Sequence, residues 1–124
     1  MKIFIVEDHE DTMLALTRYL RGKGFETVCA STMQEALEAI PVSGCDVLLS
    51  DLGLPDGTGW ELLQALKTNT PPYAIAMSGY GSVSDRRRSQ EAGFQHHLLK
   101  PFNMRELTSM LALKAEELNG VSEA

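Results

Sequence analysis

The sequence predicts an α/β fold, a mainly parallel sheet of five strands with helices packed on both faces. Two observations carry this expectation. Short apolar runs alternate five times with amphipathic helical patterns, and such alternation implies parallel strands joined by right-handed crossovers. Several of the runs stop at a charged or hydroxyl residue followed by a Gly/Pro-containing loop, which gathers polar groups along the carboxyl edge of the sheet, where ligands of open α/β sheets bind. A chain of 124 residues suits one domain. That length buries roughly two thirds of the unfolded surface and needs no staple.

The elements follow in order. The strands are expected at 2–7, 26–30, 46–50, 73–77 and 96–99. Met13, Leu16 and Leu20 recur at helical spacing, and Gly22 and Gly24 end that first helix. Ser31 or Thr32 can cap the second, whose Ala36, Leu37 and Ile40 face inward. Thr58 with Glu61 forms a capping box for the third, which carries Trp60, Leu62, Leu63 and Leu66 and stops before Pro71-Pro72. Ser82 with Asp85 opens a weaker fourth helix that ends near Gly93. Asn103 with Glu106 opens a fifth, with Leu107, Met110, Leu111 and Ala115 on its apolar face. The domain is expected over 1–118, with a frayed tail over 119–124.

Bulk composition narrows the function. Hydrophobic content of 44% and charged content of 23% are those of an ordinary globular chain. A formal net charge of -6 argues against general nucleic-acid binding, which needs a basic face. Cys29 and Cys45 lie in apolar surroundings and are expected as reduced thiols in the core. A strand begins within two residues of Met1, leaving no room for a signal peptide. No apolar stretch approaches the roughly 18 residues of a membrane span. The expected location is cytoplasmic.

The chemistry sits at the strand ends. Asp51 closes the run Val47-Leu48-Leu49-Ser50 and is followed by Leu52-Gly53-Leu54-Pro55-Asp56-Gly57. Glu7 and Asp8 follow Ile3-Phe4-Ile5-Val6, and Lys100 follows Leu98-Leu99 and precedes Pro101. Taken singly, each has a plain structural use as a helix cap or turn former. Together they place three acids and a lysine at one edge. Two carboxylates about 4 Å apart repel by roughly 4 kcal/mol at an effective dielectric near 20, so a positive group must offset them. Lys100 is one, and a hard divalent cation, Mg²⁺ rather than zinc, suits the all-oxygen donor set. His9 reads as a helix-start residue at the pocket rim. A carboxylate so placed can attack a phosphoryl group and form an aspartyl phosphate. Ser78, ending Ala74-Ile75-Ala76-Met77, and the N–H groups of the loop bearing Gly53 and Gly57 can donate to phosphoryl oxygens.

These residues resemble the receiver domain of two-component response regulators, over Lys2 to about Leu118. The matching pieces are Ile5-Val6-Glu7-Asp8, Ser50-Asp51-Leu52-Gly53-Leu54-Pro55-Asp56-Gly57, Met77-Ser78-Gly79 and Leu99-Lys100-Pro101-Phe102. The resemblance implies a flavodoxin-like three-layer sandwich with strand order 2-1-3-4-5 and five helices. It implies that Asp51 takes a phosphoryl group from a sensor histidine kinase or a histidine phosphotransfer protein. Asp8, Asp51 and the Gly53 carbonyl would bind Mg²⁺, with Glu7 nearby. Ser78 and Lys100 would hold the phosphate, and the Lys100-Pro101 bond would be cis. Such a domain catalyses only its own phosphorylation and dephosphorylation.

Two positions depart from the family's pattern. An aromatic residue often stands three positions before the lysine, where this chain has His97. A side chain commonly stands two positions after the acceptor, where this chain has Gly53, so Tyr80 is left to shield the phosphate. The run Arg86-Arg87-Arg88 on the fourth helix reads first as a solvated charged face; the alternative, which the resemblance implies because receiver domains commonly signal through the fourth helix, fifth strand and fifth helix, is a docking surface for an acidic partner. His96 and His97 have no third soft ligand beside them and are not expected to bind metal. No DNA-binding or enzymatic segment follows, so the output is expected in another protein, or in a longer regulator from which this domain is cut. Three rival readings are weaker. A Mg²⁺-dependent phosphatase working through an aspartyl phosphate normally needs a D-x-D arrangement, and Asp51 is followed by Leu52-Gly53. A flavin-binding module would meet Glu7 and Asp8 where its phosphate must sit. A degenerate receiver would lack chemical residues that are all present.

Overall fold

A computed structural model describes residues 1–69, 71, 73–79 and 83–119. The elements run β1 (Lys2–Val6), α1 (Glu10–Gly22), β2 (Glu26–Ala30), α2 (Met33–Ser43), β3 (Val47–Asp51), β4 (Gly53–Leu54), β5 (Gly57–Thr58), α3 (Gly59–Leu66), a 3₁₀ turn (Lys67–Asn69), β6 (Tyr73–Ser78), α4 (Val83–Ala92), β7 (His96–Leu99) and α5 (Met104–Asn119). The main sheet is parallel with order β2-β1-β3-β6-β7. Leaving out the β4–β5 hairpin, this is the expected 2-1-3-4-5.

Period-two alternation on strands buried from both sides divides the core in two. Ile3, Ile5, Val47, Leu49, Ile75, Met77 and Leu98 face one way and meet Leu16 and Leu20 of α1 and Leu107 and Leu111 of α5. Phe4, Val6, Leu48, Ala74 and Ala76 face the other way and meet α2 and α3 through Ala36, Ile40, Leu62, Leu63 and Leu66. Each fully buried Leu or Ile contributes roughly 1.5–3 kcal/mol. This apolar mass fixes the strands firmly enough to hold polar groups at their ends.

The caps expected at Thr32, Thr58 and Asn103 are present. Thr32 Oγ1 accepts from Glu35 N, and Thr58 and Glu61 form a reciprocal capping box. Asn103 Oδ1 accepts from Arg105 N at the start of α5. Helix α4 carries few apolar residues and its one buried residue is Ser89, which explains its weak sequence signal. Ser82, its expected opener, lies outside the described residues, as does the tail beyond Asn119. Helix α5 runs to Asn119, one residue past the expected domain end.

Some details differ from expectation. Strands β3 and β6 each run one residue past their expected ends, so that Asp51 and Ser78 close them, because the ladder continues there: Leu52 N donates to Met77 O, and Lys100 N to Ser78 O. The β4–β5 hairpin was not anticipated. Cys29 is exposed, not in the core. It lies on β2, the edge strand, where one side of the pleat faces outward. Cys45 is half-buried, burial raises its pKa, and both thiols are free.

Candidate functional site

Strands β1, β3, β6 and β7 lie side by side and end together. Their ends bring Glu7, Asp8, Asp51, Ser78 and Lys100 to one rim, as the sequence reading requires. The ligand atoms of Glu7, Asp8, His9 and Asp51 all lie within 4.8 Å of one another. Glu7 and Asp51 are buried, at 1% and 7% exposure, whereas Asp8 and His9 are exposed. Lys100 bridges the two buried acids, its Nζ 2.7 Å from Glu7 Oε1 and 3.0 Å from Asp51 Oδ2.

The two buried acids are not equivalent. Burial disfavours the charged form of both. At Glu7, hydrogen bonds from Lys100 and from the His9 N–H at 3.1 Å outweigh burial and hold the carboxyl below its ordinary range. At Asp51, burial prevails over the bond from Lys100, and the negative charge of Glu7 adds to it. The Asp51 carboxyl is therefore raised, and among the described residues its one further hydrogen bond comes from Gly53 N at 3.2 Å. Burial lowers the Lys100 pKa, but the bonds to Glu7 and Asp51 more than reverse this, so the ammonium stays charged. Asp51 is thus the more basic of the two acids, held by a cation and open toward the loop after β3.

These acids suit a divalent ion. The donor set is carboxylate-rich, which matches a hard cation. His9 stands at the cap of α1, with Nδ1 3.2 Å from Glu7 Oε2, and orients that carboxylate. His96 is turned away from the rim: its Nε2 bonds the Tyr73 hydroxyl, and the two rings meet edge to face.

A second group of polar side chains adjoins the first. Ser78 Oγ lies 2.8 Å from His97 Nε2, and His97 Nδ1 lies 3.0 Å from Ser89 Oγ. Trp60 Nε1 donates to the same Ser89 oxygen at 2.9 Å, and the Arg88 guanidinium covers the Trp60 ring at 4.1 Å. Trp60 therefore does more than pack. Arg86, Arg87 and Arg88 are exposed on α4. Tyr80 lies outside the described residues. The Lys100-Pro101 peptide is cis.

Sequence reasoning missed three residues that shape the site. Asp56, in the hairpin after Asp51, accepts from Met33 N at 2.7 Å and Gln34 N at 2.9 Å and so moors the loop to the start of α2. A separation of 22 to 23 residues leaves no local signal. Gly59 starts α3 against the backbone of the site: an added Cβ would lie 2.8 Å from the Asp51 carbonyl oxygen. The capping box one residue earlier was its nearest visible clue. Ser89 gave no signal, since its partners come from β7 and α3.

Comparison with known proteins identifies the family and agrees with the fold. The family model for the response regulator receiver domain matches residues 3–112. The chain belongs to that family. It is 33% identical over 109 residues to the KDP operon transcriptional regulatory protein KdpE of Escherichia coli, covering 88% of this chain and 48% of the relative. It spans about half the length of the curated relatives it matches. A CheY-like receiver domain from Methanospirillum hungatei superposes with a TM-score of 0.87 at 31% identity, covering 96% of each chain. A two-component response regulator from Clostridium difficile shares the fold, with a TM-score of 0.91 at 24% identity over 96% of this chain and 98% of that one. Among the described residues no helix is long and apolar enough to cross a membrane.

Proposed function

We propose that this receiver domain is a cytoplasmic phosphorelay switch whose Asp51 accepts a phosphoryl group from a phosphohistidine on a sensor kinase or phosphotransfer protein. The observation that carries this reading is the state of Asp51: buried, raised in basicity beside Glu7, and 3.0 Å from the Lys100 ammonium. A raised carboxylate is a better nucleophile, and the adjoining cation limits the repulsion it meets from an anionic donor. The Asp51 carboxylate oxygen forms a bond to phosphorus as the bond from phosphorus to the donor's imidazole nitrogen breaks, and the imidazole leaves with that electron pair. Glu7, Asp8 and Asp51, with the Gly53 carbonyl, would hold Mg²⁺, which supplies charge neutralisation for the acids and the phosphoryl oxygens when bound. Lys100 then pairs with the transferred phosphate, and the Ser78 hydroxyl donates to one of its oxygens.

The domain spans 1–118 and acts only on itself. The resting contact between Ser78 and His97 makes His97 the switch residue, and Tyr80 shields the phosphate. The exposed Arg86 and Arg87 and the Trp60-stacked Arg88 face the output partner. Asp51 has no second acid two positions on, so a turnover phosphatase is disfavoured. The test is acetyl phosphate with Mg²⁺, read by intact mass. Wild type gains the mass of one phosphoryl group and Asp51→Asn does not. An equal gain in Asp51→Asn overturns the assignment.

A further inference from the structure

We infer that Ser89 and Trp60 are positioning residues of this switch: His97 carries the state of Ser78 to the α3–α4 surface through a directed chain of hydrogen bonds that ends under Arg88. This inference rests on phosphorylation at Asp51 and adds a route and an exit point.

The direction of the chain follows from counting donors. An indole N–H only donates, so Ser89 Oγ accepts from Trp60 Nε1. Ser89 is 1% exposed, and its other partner among the described residues is His97 Nδ1. A buried hydroxyl proton needs an acceptor, so Ser89 donates to Nδ1. Neutral imidazole with Nδ1 accepting carries its proton on Nε2, and Nε2–H therefore donates to Ser78 Oγ. Trp60, Ser89, His97 and Ser78 thus form one ordered series in which each hydroxyl and ring serves as both acceptor and donor. The Ser78 hydroxyl accepts from His97 at this contact, so its own proton is not used within the series.

A phosphoryl group at the rim draws Ser78 away from Nε2. His97 is half-buried, and its Nε2–H then points at an acceptor that has moved, which weakens the seat of the ring. The ring must move or turn, and either motion breaks its bond to Ser89. Ser89 in turn loses the acceptor for its proton, and the Trp60 indole beneath Arg88 loses its fixed partner. The exit point is the Trp60–Arg88 stack, beside the exposed Arg86 and Arg87.

Trp60 is the single tryptophan of the chain, so its emission reports this exit directly. Wild type and Ser89→Ala are each titrated with beryllofluoride and Mg²⁺ while acetyl-phosphate uptake is followed by mass. The expected result is a phosphoryl mass gain in both proteins, with an emission change in wild type that is lost in Ser89→Ala. An equal emission change in the variant, or none in wild type despite the mass gain, overturns the relay and leaves phosphorylation standing. Absence of any mass gain in wild type overturns the phosphorylation reading and the relay with it. Ring ¹⁵N spectra of wild type, with His97 assigned through His97→Gln, test the chain without depending on how Ser89→Ala folds. They should show the Nε2–H form at rest and a shift of that signal on beryllofluoride. A resting Nδ1–H form overturns the relay.

Discussion

The rim of the sheet has two halves built on opposite principles. Around β1 and β3 the groups are charged: two buried acids share one ammonium, with Asp8 and His9 exposed beside them. Around β6 and β7 they are neutral: a hydroxyl, an imidazole, a second hydroxyl and an indole bond in series. The charged half is electrostatically short of cation and gains from a positive ion. The neutral half is fully partnered, and it responds to the loss of a partner rather than to charge. On the function proposed above, one half holds a phosphate and the other registers it.

The largest expected effect breaks the charged half. Lys100→Met leaves Glu7 and Asp51 facing each other without their shared cation, and stability at neutral pH should fall by about 3 kcal/mol in urea unfolding. The loss should shrink as pH drops and the acids protonate, and Mg²⁺ should restore more in the variant than in wild type. Next comes the neutral half. Ser89→Ala strips the partner from Trp60 Nε1 and His97 Nδ1, and it should cost about 2 kcal/mol. That cost should not respond to Mg²⁺, which is how the two halves are told apart.

Smaller still is Asp51→Asn. The carboxyl is raised above its ordinary value of 3.8, with burial as the main cause. Its contribution is therefore favourable only below that ordinary value and is lost as pH rises through the folded one. At neutral pH the carboxylate opposes folding, so the amide should stabilise by about 1 kcal/mol. Glu7 is shifted the other way by its hydrogen bonds, which outweigh burial. Its contribution is present above its ordinary value of 4.5 and is lost as pH falls through the lower folded one. Glu7→Gln should therefore destabilise at neutral pH, and thermal melts of the two variants should move in opposite directions. The smallest effect is Arg87→Gln, on an exposed helix face, where stability should change by less than about 0.5 kcal/mol.

The charged half was legible in the sequence and the neutral half only in part. Glu7, Asp8, Asp51 and Lys100 each follow an apolar run, and parallel strands must bring such ends together. Period and polarity alone therefore located them. Ser78 was visible for the same reason, and His97 for the departure it makes from the family pattern. Ser89 could not be found, because a serine among arginines on a polar helix carries no sign that it is the buried one. The mooring of Asp56 to α2 is equally silent in one dimension. Cys29 was misplaced because strand alternation says which residues share a side, but not which strand lies at the border of the sheet.

The close seat of Gly59 on the Asp51 carbonyl has one more consequence. Packed interiors transmit displacement rather than absorb it. Gly59 N also donates to Leu52 O at 3.0 Å, so the main chain beside the acid is tied to the start of α3 and holds its place if, as proposed, the acid takes a phosphoryl group. The acid behaves as an anvil, and whatever yields must be a side chain on its far flank.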